Sequence, residues 1–367
     1  MRSALAKLTC AALGVLALGL VWGDARRALS YPGALPTANR VEIRISAVGD
    51  MMFGRYSKAR VHHPVNLDRP FRHVKQLWRG DDIVMGNLET PISAIRYRKP
   101  YRALSFRADP KAAKLLKDAG FTLAVTANNH CWDQGDRGIR DTIDHLAAVG
   151  LPVSGTGKTR AAAFTPWVFT KEGVRVGVLS LTILRNFPTR EKVGFGALVK
   201  YRRAHRDLPG VVRRARARAK VDFLVVNLHF GAEWTMRVIR WEQTLMQKLA
   251  RAGADVVFGH HPHVLRPIER RPGYVVFYSL GNFLFDFHRK HTEKSGVAQV
   301  TLVKQGARSF IGRVGFVPTW QDWLKPPKPA TGSRGTRVRR LVYRFTRQMG
   351  VRNKWLRRGE GVEILVK

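Results

Sequence analysis

Acidic residues and cysteines are both scarce in this chain. Aspartate and glutamate number 26 against 65 lysines and arginines in 367 residues, a formal charge of +39. A field of that sign attracts polyanions such as nucleic acid, anionic lipid headgroups or an acidic polymer. The basic residues are spread along the chain, so an Arg-rich solvated surface is the plainer account of the same charge. No recognisable nucleic-acid module accompanies it, which leaves nucleic-acid binding resting on charge alone. Cys10 lies in an apolar N-terminal stretch and Cys131 beside a candidate ligand, a placement that argues against an intrachain disulfide. The lack of disulfides does not exclude an extracytoplasmic location. Internal repeats are absent.

The apolar run Leu8–Trp22 follows Arg2 and Lys7 and precedes Asp24-Ala25-Arg26-Arg27. It is short for a full membrane span but has the shape of a signal sequence. Export with an uncleaved anchor is the favoured reading, and cleavage after the small residues Gly23-Asp24-Ala25 is the competing one. A linker rich in Pro, Gly and Ala (Ser30–Asn39) closes this segment, giving a division at 1–40. With 45% hydrophobic residues, the remainder can bury one large core or two smaller ones.

Apolar strand-like runs at Val41–Val48, Asp82–Leu88, Phe121–Ala127, Val174–Leu181, Val221–Leu228, Ala254–Phe258 and Tyr274–Leu280 alternate with helix-like segments. The helical readings are Phe71–Arg79, the segment from Asp109-Pro110 to Gly120, Gly135–Val149, Arg203–Ala219 and Thr235–Ala252. This alternation predicts an α/β sheet with parallel segments. Val297–Val303 and Phe310–Phe316 read as an antiparallel pair. Beyond residue 320 the composition turns to Pro and Arg. Val338, Leu341, Val342, Phe345 and Met349 there suggest an amphipathic basic helix, lying on an anionic membrane surface or polymer, or packed on the core with its basic face solvated.

Five of the strand-like runs end in ligand-type residues: Asp50, Glu89, Asn129-His130, His229 and Gly259-His260-His261-Pro262-His263. Ligands delivered from strand ends converge on one edge of a sheet, where α/β folds place their sites. Mixed imidazole and carboxylate donors suit a divalent transition metal, one or two ions of Mn, Zn or Fe, and an Asn carbonyl suits the harder ions. In an extended segment His261 and His263 point to the same side and His260 points away. Two metals could share Glu89. Such a pair clamps the oxygens of a phosphoryl group during in-line displacement, and His130 could protonate a leaving oxygen.

Gly49-Asp50, Asn87-Leu88-Glu89-Thr90-Pro91, Asn128-Asn129-His130 with Asp133 and Gly135, His229–Trp234, Gly259–Val264 and Ser279–Phe283 occur in that order. Together they resemble the CapA (PGA-cap) family of bacterial capsule-synthesis proteins, within the calcineurin-like metallophosphoesterase superfamily. The likeness spans roughly Val41 to Asp286. It implies a four-layer, metallophosphoesterase-like α/β fold, a sandwich of two mixed β-sheets flanked by helices, at 41–320, with 321–367 as a basic C-terminal tail. It also implies association with poly-γ-glutamate capsule synthesis from a membrane-anchored, extracytoplasmic position, beside membrane-embedded components of polymer synthesis. By motif, Asp50 and His263 would serve a first metal, Asn129, His229 and His261 a second, and Glu89 would bridge them. His130 matches the superfamily's catalytic acid. Arg55 and Glu233 would face substrate or the outer coordination sphere, and Asn282 would shape the rim.

Two departures stand out. Met52 occupies the place where superfamily members usually carry His, and the bridging carboxylate is Glu where Asp is usual. One reading of function is therefore an exported metal-dependent hydrolase acting on a phosphoester or amide-linked polymer. The other is a non-catalytic scaffold of an anionic-polymer synthesis and export complex.

Overall fold

Strands that are apolar on both faces need cover on both faces, and this chain supplies it with two mixed sheets flanked by helices. The computed structural model describes residues 40–57, 60–62, 69–96, 105–186, 190–286 and 289–366, with backbone alone at 55–57 and 60–62. The expected signal or anchor segment thus lies outside the described residues, apart from Arg40. Among the described residues no helix is long and apolar enough to cross a membrane.

The first sheet runs Lys354–Arg358, Gly361–Leu365, Arg308–Trp320, Lys294–Gln305, Arg40–Met51, Ile83–Leu88, Leu123–Val125, Val153–Ser154. Its last four strands pair in parallel, and its first four pair antiparallel. The second sheet runs Ile268–Arg271, Tyr274–Phe277, Val256–His260, Phe223–His229, Val174–Thr182, Trp167–Lys171. Here the inner joins are parallel and the two outer joins antiparallel.

Alternation along each strand divides the apolar residues between cores. Ile43, Ile45, Ile83, Met85, Leu123 and Val125 of the first sheet share one cluster with Val176, Val178, Phe223, Val225, Val256 and Phe258 of the second. Their sequence neighbours face elsewhere. Leu179, Leu181, Leu224 and Val226 join Leu208 and Val212 of helix Ala204–Ala219 and Leu245 and Leu249 of helix Arg240–Arg251. Val48, Val84 and Ala124 join Ala112 and Leu116 of helix Lys111–Asp118.

Two expectations change. The stretch Phe71–Arg79 forms only the short 3-10 turn Lys75–Trp78. Phe71, Val74 and Trp78 are buried there, so the helical spacing is real, but one turn suffices to seat them. Trp78 Nε1 donates to the Ala119 carbonyl at 2.9 Å. The boundary at 320 is also not a structural one, since Val41–Lys367 forms a single unit. The basic helix is Gly332–Gln348, and its Val338, Leu341 and Val342 enter the cluster shared by the two sheets. Its Thr346 Oγ1 accepts from Ile268 N at 3.0 Å. Gly361–Leu365 then pairs with Arg308–Trp320, covering what would otherwise be an open sheet edge.

Candidate metal centre

Parallel strands from both sheets bring their carboxyl ends to one place. Asp50 ends the strand Arg40–Met51, Glu89 follows Ile83–Leu88, and His229 closes Phe223–His229. Asn129 and His130 lie in the loop after Leu123–Val125, while His260 ends Val256–His260 and is followed by the loop of His261 and His263. Asn282 begins a strand that pairs with the first, Asp50 opposite Asn282. Gly49 makes this approach possible, because a Cβ there would lie 1.9 Å from the Gly281 carbonyl oxygen.

Glu89 stands at the centre, fully buried. Its Oε1 has no hydrogen-bond donor, and three imidazole nitrogens surround it: His229 Nε2 at 3.7 Å, His263 Nε2 at 3.9 Å and His130 Nε2 at 4.0 Å. These separations are too long for hydrogen bonds and leave space for a cation among them. Donor atoms within 4.8 Å of one another form three triads: Glu89, His229, His261; Asp50, Glu89, His263; and Glu233, His261, His263. Glu89 belongs to the first two. Asn129 Oδ1 lies 2.8 Å from His229 Nε2, so the two donor atoms face the same point.

The imidazoles are oriented from behind. His263 Nδ1 contacts Asn282 Oδ1 at 2.8 Å and Asp50 Oδ2 at 3.3 Å, which turns Nε2 toward Glu89. Its ring stacks on Trp234 at 5.1 Å. His130 Nδ1 meets Asp133 Oδ2 at 2.8 Å, its ring lies on Phe106 at 4.0 Å, and Asp133 is itself held by Phe106 N at 2.7 Å. The His261–His263 segment is not extended. Both residues have positive φ, +96° and +57°, a conformation that non-glycine residues rarely adopt and that concentrates at functional sites. Their rings still lie 5.9 Å apart. The expectation that His260 points away is overturned by the same geometry: it is buried, with Nδ1 3.3 Å from Asp50 Oδ1.

The electrostatics suit a cation. Burial pushes Asp50 up, but contacts with His260 and His263 outweigh it and hold the carboxyl well below the usual range. Burial, with Asp50 and Glu233 nearby, raises Glu89 well above its ordinary value. Burial, reinforced by neighbouring imidazoles, lowers His229 strongly and His261 to about 3. Both rings are therefore neutral at pH 7, as metal ligation requires.

The three remaining expected residues differ in placement. Glu233 is exposed, though its carboxylate reaches His261 and His263. Asn282 is buried as a partner of His263. Arg55 lies in the strand Arg55–Ser57, with its side chain outside the described residues. Met52 packs between Phe106 and Phe285 in an apolar pocket. Sequence reasoning gave no role to Asn87, whose Nδ2 reaches Asp50 Oδ1 at 2.8 Å, Glu89 Oε2 at 3.1 Å and His229 Nδ1 at 3.4 Å. Its position two residues before Glu89 was the available signal, since strand alternation puts both on one side. Asn186, bonded to Asn129 at 2.9 Å, comes from an irregular loop and left none.

The loop bearing Glu233 and Trp234 is clamped by Arg266, which is 1% exposed. Its guanidinium donates to the carbonyls of Thr235 at 2.6 Å and Ala232 at 3.1 Å and pairs with Glu242 at 2.8 Å. Gly231 has φ +97°, and a Cβ there would lie 2.7 Å from Arg266 Nη1.

Residues 44–287 match the family described as "Bacterial capsule synthesis protein PGA_cap". The chain belongs to this family. It is 33% identical over 276 residues to the "PGA biosynthesis protein CapA" of Bacillus subtilis, covering 72% of this chain and 69% of that one. With the "Capsule biosynthesis protein CapA" of Bacillus anthracis it shares 31% over 277 residues, covering 72% and 65%. The chain thus spans about two thirds of the length of these relatives. Among solved structures, a protein described as a novel phosphatase from Mycoplasma pneumoniae aligns at 15% identity and a TM-score of 0.48, covering 77% of this chain and 95% of that one. A likeness so distant does not bear on chemistry. Every ligand candidate from Asp50 to Asn282 falls inside the PGA_cap match, whereas helix Gly332–Gln348 falls beyond it.

Proposed function

We propose that this PGA_cap protein holds one or two divalent transition metals and hydrolyses a phosphoester or amide-linked substrate as part of anionic capsule-polymer synthesis. The observation that carries this reading is the buried Glu89 Oε1, without a donor and ringed by three imidazoles. An orphaned acceptor at such a place is costly unless a cation satisfies it. Asn129, His229 and His261 would serve one ion, Asp50 and His263 the other, with Glu89 between them. A divalent cation bound there supplies Lewis acidity at a phosphoryl or carbonyl oxygen.

The chain's own residues supply the rest. Asp133 accepts from Nδ1 of His130, fixing a ring whose Nε2 faces the centre, where it donates a proton to the leaving oxygen. Glu233 and Arg55 contact substrate at the open side, and Asn282 orients His263. The four-layer order of the superfamily and membrane anchorage through 1–40 outside the cytoplasm complete this reading. It places the chain beside membrane-embedded polymer synthesis components, with an anionic polymer such as poly-γ-glutamate as the partner of its basic surface.

One observation favours a scaffold without catalysis. Met52, buried among aromatic rings, stands where superfamily members usually carry His, so the first metal position has one imidazole ligand fewer than they have.

The test is metal analysis together with turnover of a chromogenic phosphodiester. His229→Ala and His261→Ala should each remove most of the metal, whereas His130→Ala should retain it and lose about 10²–10⁴-fold in turnover. Metal content untouched by both ligand substitutions would overturn the site. Metal bound in the wild type without turnover would favour the scaffold.

A further inference from the structure

Helix Gly332–Gln348 spends one face on packing and leaves the other to arginine. Val338, Leu341 and Val342 are buried, whereas Arg334, Arg337, Arg340, Arg344 and Arg347 are exposed. The spacing of three or four residues sets these five along one side of the helix, about 4.5–6 Å apart in rise over about 20 Å. No acidic residue occurs in the helix. Arg334 is drawn toward Asp322 at 3.3 Å and Arg344 lies over the Phe345 ring at 5.1 Å. Arg337, Arg340 and Arg347 have no acidic partner among the described residues. The adjoining edge strand, whose Trp355 meets Tyr343 of the helix at 5.6 Å, adds the exposed cation Arg357 on the same face as Trp355.

The other strongly basic helix, Ala204–Ala219, carries an acidic residue of its own, Asp207, in its first turn. Its Arg206 is paired with Asp207 at 2.7 Å and its Arg216 with Asp255 at 2.6 Å, so part of its charge is neutralised within the fold. Gly332–Gln348 spends Arg334 on Asp322 and Arg339 on Glu360 at 3.5 Å, and its Arg337, Arg340 and Arg347 are left for something outside.

We propose that the arginine stripe of helix Gly332–Gln348 is a docking track for an extended polycarboxylate chain. Guanidinium forks match carboxylates in a bidentate manner, and their repeat along one line suits a linear partner. A membrane surface fits less well, because an interfacial helix turns its apolar face outward and this one has given that face to the core. The exposed large apolar residue on the helix is Tyr343, too little for insertion and too little to stack bases of a single-stranded nucleic acid. The inference rests on the capsule-polymer reading for the existence of such a partner. It is independent of whether the metal centre is catalytic.

The test uses the full chain and an end-labelled polyglutamate in fluorescence anisotropy at about 0.15 M salt. Arg337→Glu, Arg340→Glu and Arg347→Glu combined should weaken binding by about tenfold or more, while the matched reversal Arg213→Glu, Arg214→Glu and Arg218→Glu should change it by less than about threefold. Equal loss in both variants, or no loss in the first, overturns the track, since generalised charge would then explain binding. Loss of binding to phosphatidylglycerol vesicles or duplex DNA with polyglutamate binding intact overturns it in favour of those partners. Metal content and phosphodiester turnover, followed in the same variants, should stay at wild-type values, so failure of the hydrolase reading and failure of the track are read separately.

Discussion

At the residue scale, Glu89 gathers the conflict that the site resolves. Without a cation its ionised form is penalised by burial and by Asp50. A pKa raised on folding adds stability that is complete below the ordinary 4.5 and is lost as pH rises through the folded value. Glu89→Gln should therefore stabilise the chelator-treated protein at pH 8, with a gain that shrinks as pH falls toward 4.5. His229 and His261 act in the opposite sense: their pKa values are depressed by burial, so their contribution is present above 6.5 and fades as pH falls through the folded values, about 3 for His261. That loss occurs in wild type and variant alike, so Glu89 is read most cleanly above pH 6.5, where both rings are neutral in each. With saturating metal the sign should invert, because Gln is the poorer ligand. Calorimetric melting temperatures across pH, with and without chelator, check both halves. A variant less stable at every pH without metal would show that the ionised Glu89 carries no such penalty in the folded protein.

At the scale of elements, the clamp on the loop 231–239 ties the exposed Glu233 to the buried core. Arg266→Leu leaves Glu242 buried without its partner, and this should cost about 3–5 kcal/mol. The double change Arg266→Leu with Glu242→Leu should recover part of that loss, while the loop, deprived of its carbonyl contacts, becomes open to limited proteolysis near Trp234. Urea denaturation of both variants measures the first effect. Much of the site was legible at this scale, because Asp50, Glu89, Asn129 and His229 each close or follow an apolar run that could only be a strand. The His260–His263 loop was legible in composition but not in direction. A His-Pro-His sequence does not reveal that the flanking residues take positive φ, and without that sign the facing of His260 comes out reversed. Alternation with Glu89 was enough to place Asn87 on the site's side, but its reach to Asp50 and His229, like the clamp of Arg266, depends on partners distant in sequence, which periodicity does not report.

At the scale of the whole molecule, the charged composition of the C-terminal segment leaves two readings open, a basic tail on a membrane or polymer and a helix packed on the core, and its periodic apolar residues belong to the main core. Val338, Leu341, Val342, Val351, Val362 and Ile364 are all buried. At about 1.5–3 kcal/mol for each side chain, their loss would match a typical folding margin of about 5–15 kcal/mol. Ending the chain after Trp320 should therefore give an aggregating or unfolded product even though the PGA_cap match at 44–287 is intact; a soluble fragment with a cooperative melt would contradict this. Because Gly361–Leu365 pairs with Arg308–Trp320, the sheet that carries Asp50 and Glu89 is complete only after that late strand has been synthesised. A ribosome would therefore carry the strands of Asp50, Glu89 and His229 already made while the sheet that frames two of them still waits for a strand encoded more than 130 residues after the last of them.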